Sequence, residues 1–194
     1  MTTVVVPFAG AEGKTRLEAS TRARRELSLA MLGDVLAAAV AVGRTLVVTP
    51  DDAGAAVARD EGAELVADPG GGQGAAVRSA LARADGRTLV VNADLPCAVP
   101  DDLRALLAAV PEHGLALVEA LDGTTNALAL SAPEIFEPLY GPDSASRFRA
   151  LPVEAVSVVV PNLAEDVDTL ADLQRLQLRC GPRTQARLAR LSTA

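Results

Sequence analysis

Lysine is almost missing from this chain. Of 194 residues only Lys14 is one, and every other cationic position is arginine. Aromatic residues make up 2% and tryptophan is absent, so a core has to be built from Ala, Val and Leu within an apolar content of 49%. The length fits one domain with a full core, residues 1–194, and no second domain is expected. Histidine is just as scarce. His113 stands alone in Pro111-Glu-His-Gly114, a loop between a helix and a strand, which makes a catalytic triad or a histidine-bound metal a poor fit. Cys97 and Cys180 match no metal or redox spacing and read as buried thiols rather than a disulfide. Positive charge is in deficit, with a net −7, which argues against a nucleic-acid partner because such binders carry a basic face. A small anionic ligand needs only a local cationic pocket. No apolar run approaches the ~20 residues of a membrane span, and the N-terminus lacks the charged-then-apolar pattern of a signal peptide. No membrane partner is expected, and the expected compartment is the cytoplasm.

What is present begins with the one lysine. Lys14 sits in Ala9-Gly-Ala-Glu-Gly-Lys-Thr-Arg-Leu17, directly after the apolar run Val4-Val-Val-Pro-Phe8. A strand ending in a Gly-containing turn that carries Lys and Arg holds phosphate well, because backbone N–H groups and a compact cation converge on one anion. Chance placement in an arginine-rich chain is the alternative.

Beyond it, short β-branched runs alternate with longer Ala/Leu segments of helical period. The strands are expected at 4–6, 45–49, 64–67 and 88–92, with helices at 22–42, 53–61 and 75–84 between them. That alternation predicts crossover units and a mostly parallel, three-layer α/β sheet, Rossmann-like. Asp51 is placed to cap a helix, and Pro100-Asp-Asp102 opens another through Val110. Apolar runs at 115–120 and 127–131 flank Leu121-Asp-Gly-Thr-Thr-Asn126, a turn that joins two antiparallel strands or reaches into a site. A short helix after Ser144, a strand at 156–160, a helix from Asp166-Val-Asp-Thr169 to Cys180, and a terminal helix or tail over 183–194 complete the reading.

Ligands of open α/β sheets gather outside the carboxyl ends of the strands, so the loops after strands carry the candidates. Gly70, Gly71, Gly72 and Gly74 precede a helix and let backbone approach a nucleotide without Cβ clashes, or else form a plain flexible turn. Asp94, in Asn92-Ala-Asp-Leu-Pro96, is a carboxylate at the sheet edge suited to Mg²⁺, or else a cap. Asp166 and Asp168 form a second acidic pair between a strand and a helix. One of the two is expected to face the metal while the other caps the helix. Two carboxylate positions bridging Mg²⁺ to a triphosphate, with Lys14 and Arg16 on its other side, describe a phosphoryl- or nucleotidyl-transfer site.

Val6-Pro-Phe8, Gly13-Lys-Thr-Arg-Leu17, Asp68-Pro-Gly-Gly-Gly72, Asn92-Ala-Asp-Leu-Pro96, Gly123-Thr-Thr-Asn-Ala-Leu128, Tyr140-Gly-Pro-Asp-Ser144 and Asp166-Val-Asp-Thr169 occur in that order. Together, over about residues 3–178, they resemble the 2-phospho-L-lactate or phosphoenolpyruvate guanylyltransferases of coenzyme F-420 biosynthesis. The resemblance implies the nucleotide-diphospho-sugar-transferase fold and attack of a substrate phosphate on the α-phosphorus of GTP, with pyrophosphate released. It also implies Lys14, Arg16 and Asp94 as catalytic residues. Pro7, Lys14, Arg16, Gly71, Gly72, Gly74 and Asp94 would meet GTP; Thr125, Gly141 and Ser144 would meet the phosphorylated acid; Asp94, Asp166 and Asp168 would hold Mg²⁺. Arg147 reads as a solvated face. Phosphoenolpyruvate is the favoured acid and 2-phospho-L-lactate the next. Two positions depart from the family pattern: Gln73-Gly74 stands where Leu-Asn is usual, and Asn92 where Pro is usual. The rival readings are another nucleotidyltransferase on this fold, such as a molybdopterin guanylyl- or cytidylyltransferase, and a nucleotide-binding module without turnover.

Overall fold

The computed structural model describes residues 2–10 and 20–191. Lys14 and Arg16 lie outside the described residues. Seven strands form one sheet in the order β3-β2-β1-β4-β6-β5-β7. They are β1 Thr3–Pro7, β2 Arg44–Val48, β3 Glu64–Val66, β4 Thr88–Val91, β5 Gly114–Glu119, β6 Thr125–Leu130 and β7 Glu154–Ser157. Only β6 runs against the rest, paired antiparallel to both β4 and β5. The expected mostly parallel α/β sheet is what forms.

Side-chain alternation explains the layering. Val4 and Val6 of β1, Leu89 and Val91 of β4, and Ala127 and Ala129 of β6 point to one face. Val5, Val90, Leu128 and Leu130 point to the other. The first face is covered by α1 Thr21–Val40, α2 Asp52–Asp60, α4 Pro100–Ala108 and α6 Pro161–Ala164, through residues such as Leu32, Ala58, Leu106 and Leu163. The second is covered by α3 Gln73–Leu81 and α5 Ser144–Arg149, through Val77 and Phe148. A smaller third cluster joins Leu27 and Met31 of α1 to Leu173 and Leu176 of α7 Leu170–Leu176, around Cys97, Val167 and Cys180.

Helix ends follow the sequence closely. Asp51 caps α2, its Oδ1 accepting from Gly54 N at 2.9 Å. The terminal helix, α8 Pro182–Leu191, is capped from a distance: the buried Asp34 of α1 accepts from Arg183 N at 3.1 Å and Thr184 N at 2.8 Å. Gly181 is required there, since a Cβ would stand 2.4 Å from the Asp34 carboxyl carbon.

Two expectations shift. The strand expected at 156–160 ends at Ser157, because β5 offers it no partner beyond Leu117 and Pro161 starts α6; Val159 is left 91% exposed. The cysteines are buried thiols as expected, but they adjoin, Sγ to Sγ 3.9 Å.

Candidate functional site

The strand order reverses direction of growth between β1 and β4, and the crevice at that switch point is where open sheets bind ligands. A cavity of about 330 Å³ opens there. Its walls come from the end of β1 (Pro7, Phe8, Gly10), from the turn before α3 (Asp68, Gly72, Gln73), and from the loop after β4 (Asn92, Asp94), with Asp168 beside them. Gly71, Gln73 and Gly74 line an adjoining recess shared with Tyr140 and Gly141.

The turn is shaped by its glycines. Gly70, Gly71 and Gly72 all take positive φ, between 73° and 85°, which a side chain would strain. Asp68 accepts from Gly70 N at 2.8 Å and braces the bend. Gly74 is needed for a different reason: a Cβ there would lie 2.6 Å from Pro138 Cβ, so the Asn usual in the family does not fit this packing. The two departures from the family pattern are also one change. Gln73 Nε2 donates to Asn92 Oδ1 at 2.7 Å, so the two departing positions touch.

Asp94, Asp166 and Asp168 each bring one carboxylate oxygen within 4.8 Å of the others, all three half-buried. This is the one such cluster among the described residues. Both Asp166 and Asp168 therefore face Asp94, which corrects the expectation that one would turn away to cap the helix. The physical reason is the strand period itself. Residues two apart in extended backbone share a side, and it is Val167, between them, that points into the core. Val167 N donates to Asp94 O at 3.0 Å and locks the two segments together. The cap belongs to Thr169, whose Oγ1 accepts from Asp172 N at 3.2 Å while Asp172 Oδ2 accepts from Thr169 N at 2.8 Å. Burial pushes the Asp166 carboxyl above its ordinary pKa, and the negative charge of Asp94 and then of Asp168 adds to the shift. Asn126 Nδ2 opposes it, donating to Asp166 Oδ1 at 3.3 Å. Hard oxygen donors, crowded like charge and partial desolvation together suit a divalent cation.

Thr125 and Ser144 are brought together, but not as open hydroxyls. Ser144 Oγ donates to Thr125 Oγ1 at 3.1 Å, with the residues 0% and 2% exposed. Gly141 lies close by, its carbonyl accepting from Ser144 N at 3.1 Å. Arg147 is exposed as expected, yet it does more than meet solvent: its Nη2 donates to Pro142 O at 2.8 Å and Tyr140 O at 3.2 Å, pinning the loop that carries Gly141. His113 stays at the surface, away from all of this.

Comparison with known proteins now decides the family. A MobA-like NTP transferase domain matches residues 28–152. A phosphoenolpyruvate guanylyltransferase of Sphaerobacter thermophilus is 38% identical across 91% of this chain and 93% of its own length. One of Streptomyces coelicolor is 39% identical across 99% and 98%. The chain belongs to the phosphoenolpyruvate guanylyltransferase family. Solved structures agree on the fold that this family implies. A Desulfovibrio desulfuricans protein described as a nucleotide-diphospho-sugar transferase superposes with a TM-score of 0.78 at 16% identity, covering 99% of this chain and 95% of that one. The CMP:2-keto-3-deoxy-manno-octonic acid synthetase complexed with CTP superposes with a TM-score of 0.61 at 13% identity, over 92% and 96%. As a guanylyltransferase-family member the chain is a nucleotidyltransferase.

Proposed function

We propose that this protein transfers GMP from GTP to phosphoenolpyruvate in the cytoplasm, releasing pyrophosphate, in coenzyme F-420 biosynthesis. The observation that carries the reading is the carboxylate trio at the mouth of a nucleotide-sized cavity on the switch-point edge, in a chain 38% identical to proteins named for this reaction. In the step, a phosphate oxygen of phosphoenolpyruvate bonds to the α-phosphorus of GTP. The bond to the β-phosphate bridge breaks, and pyrophosphate leaves with that electron pair. A phosphate monoester is already nucleophilic, so no general base is needed, in keeping with a surface-bound His113. Alignment and charge neutralisation do the rest.

The residues divide the labour. Asp94, Asp166 and Asp168 would hold Mg²⁺, which when bound neutralises triphosphate charge and orients the leaving group. Pro7, Gly71, Gly72 and Gly74 shape the nucleoside and sugar space, and Lys14 and Arg16 supply the cationic side of the phosphates. Gly141 and the Thr125–Ser144 pair would define the acid end, with Arg147 holding its loop. In the pair as it stands Thr125 keeps its own hydroxyl proton to offer, while Ser144 can donate to the acid only when their mutual hydrogen bond opens.

Pyrophosphate release with GTP and Mg²⁺ tests this, offering phosphoenolpyruvate, 2-phospho-L-lactate and 3-phosphoglycerate separately. Release with phosphoenolpyruvate, and its loss in Asp94→Asn, is the expected result. Release with 2-phospho-L-lactate alone reassigns the acid. Release with none, while GTP still binds, overturns the transferase reading in favour of a binding module.

A further inference from the structure

The Gln73–Asn92 pair has a direction, and it is set from outside the cavity. Asn92 lies one residue past β4, and its main-chain N–H donates to Asn126 O at 3.0 Å. Its side-chain Nδ2 donates to Thr125 O at 3.3 Å. A main-chain carbonyl only accepts, so the Asn92 amide is turned with its nitrogen toward β6 and its Oδ1 toward Gln73. That oxygen in turn only accepts, so Gln73 must present Nε2 to it, as it does at 2.7 Å. The Gln73 amide is thereby fixed in one of its two flips. Its Oε1 is left over, and among the described residues none donates to it.

Gln73 is half-buried at the first position of α3 and lines both the main cavity and the adjoining recess. Pro7, Phe8, Val48, Gly72 and Ala76 give the cavity an apolar or glycine wall, and its other acceptors include Asp68, which is turned to Gly70 N, and the carboxylates beyond Asn92. An acceptor of fixed direction on such a wall discriminates between ring edges by whether they carry a proton. The guanine edge offers N1–H and the exocyclic N2–H groups. Hypoxanthine keeps N1–H. Adenine presents a bare N1, and two lone pairs would then face each other.

We infer that Gln73 selects the nucleobase in this protein, favouring 6-oxopurines over adenine through its Oε1, and that Asn92 is a positioning residue that holds the Gln73 amide in the selecting orientation. This rests on the guanylyltransferase reading and adds to it the atom that sets base choice. A site built to meet a substrate N–H rejects an analogue lacking one because its own buried polar group is then left unpaired.

The test is direct binding and turnover of GTP, ITP and ATP by the wild type, Gln73→Leu and Asn92→Leu, with thermal denaturation to confirm folding of each. In Gln73→Leu, GTP and ITP should weaken by about three- to tenfold while ATP does not, so that the GTP-to-ATP preference falls by the same factor. Asn92→Leu frees the Gln73 amide to rotate, and should move the same ratio in the same direction by less. A uniform loss across all three nucleotides in Gln73→Leu would place its contact on ribose or phosphate and overturn the inference. An unchanged ratio would overturn it as well, leaving the pair a packing feature. A wild type that binds no nucleotide would overturn the guanylyltransferase reading beneath it, and so is distinguishable from either failure.

Discussion

The carboxylate trio and the Thr125–Ser144 pair sit on the same edge of the sheet and are built on opposite principles. At the first, three like charges are held within 4.8 Å by segments that pin one another through the Val167-to-Asp94 hydrogen bond. At the second, two hydroxyls are joined by one hydrogen bond and sealed from water. One place is electrostatically tense without a cation. The other is already hydrogen-bonded within itself, so a ligand that needs the Ser144 proton has to compete with Thr125 for it. If the trio holds the metal and the hydroxyl pair meets the acid, as proposed above, the difference teaches that the metal end is shaped in advance, whereas the acid end has to adjust to its ligand.

The largest way to break that contrast is Asp166→Asn. It should lower pyrophosphate release on the order of 10²-fold or more and abolish Mn²⁺ binding measured by electron paramagnetic resonance. Metal-free thermal stability should nevertheless rise, because one of three crowded charges is gone. A fall in metal-free stability would refute the tension. At the hydroxyl pair the sign reverses. Thr125→Val or Ser144→Ala alone leaves a buried hydroxyl without its partner and should cost about 1–3 kcal/mol in urea denaturation. The double variant should cost clearly less than the sum, and additive losses would show that the pair is not coupled. The smallest effect is in pH. Asp166 has a raised folded pKa, so its proton stabilises the folded state at low pH. Metal-free stability should decline as pH climbs from the ordinary carboxylate range through that raised value, and saturating Mg²⁺ should remove the decline. Ser144→Ala should leave this dependence intact, since neither hydroxyl titrates there.

Much of this was legible in the chain, and the rest was not for identifiable reasons. The continuous apolar runs Val4–Val6 and Leu89–Val91 announce buried parallel strands, and Asp51 announces its cap, because each is a local rule applied to neighbours in sequence. Asp94 was legible as the residue an apolar strand delivers to the sheet edge. The joint orientation of Asp166 and Asp168 was written in the period-two rule, with Val167 as the telling residue. What local rules could not supply are contacts across the sheet. Asn126 reaching Asp166 spans 40 positions, Gln73 reaching Asn92 spans 19, and Cys97 meeting Cys180 spans 83. Each depends on strand order, which the sequence does not print. The overlong expectation for β7 failed because 159–160 keeps a strand's composition after the last hydrogen bond to β5, from Val158 N to Leu117 O at 2.9 Å.

The reversed course of β6 carries a consequence for how such a protein can change. Parallel strands reach the carboxyl edge with their last residues, and each is tied to a crossover helix that must move with it. β6 arrives there with its first residues, Thr125 and Asn126, through a hairpin from β5. On the proposed reading, lengthening or reshaping that hairpin edits the acid end without disturbing the four parallel strands on the nucleotide side. New acceptors are therefore within reach of a few inserted residues, while a new nucleotide asks for the rebuilding of a crossover.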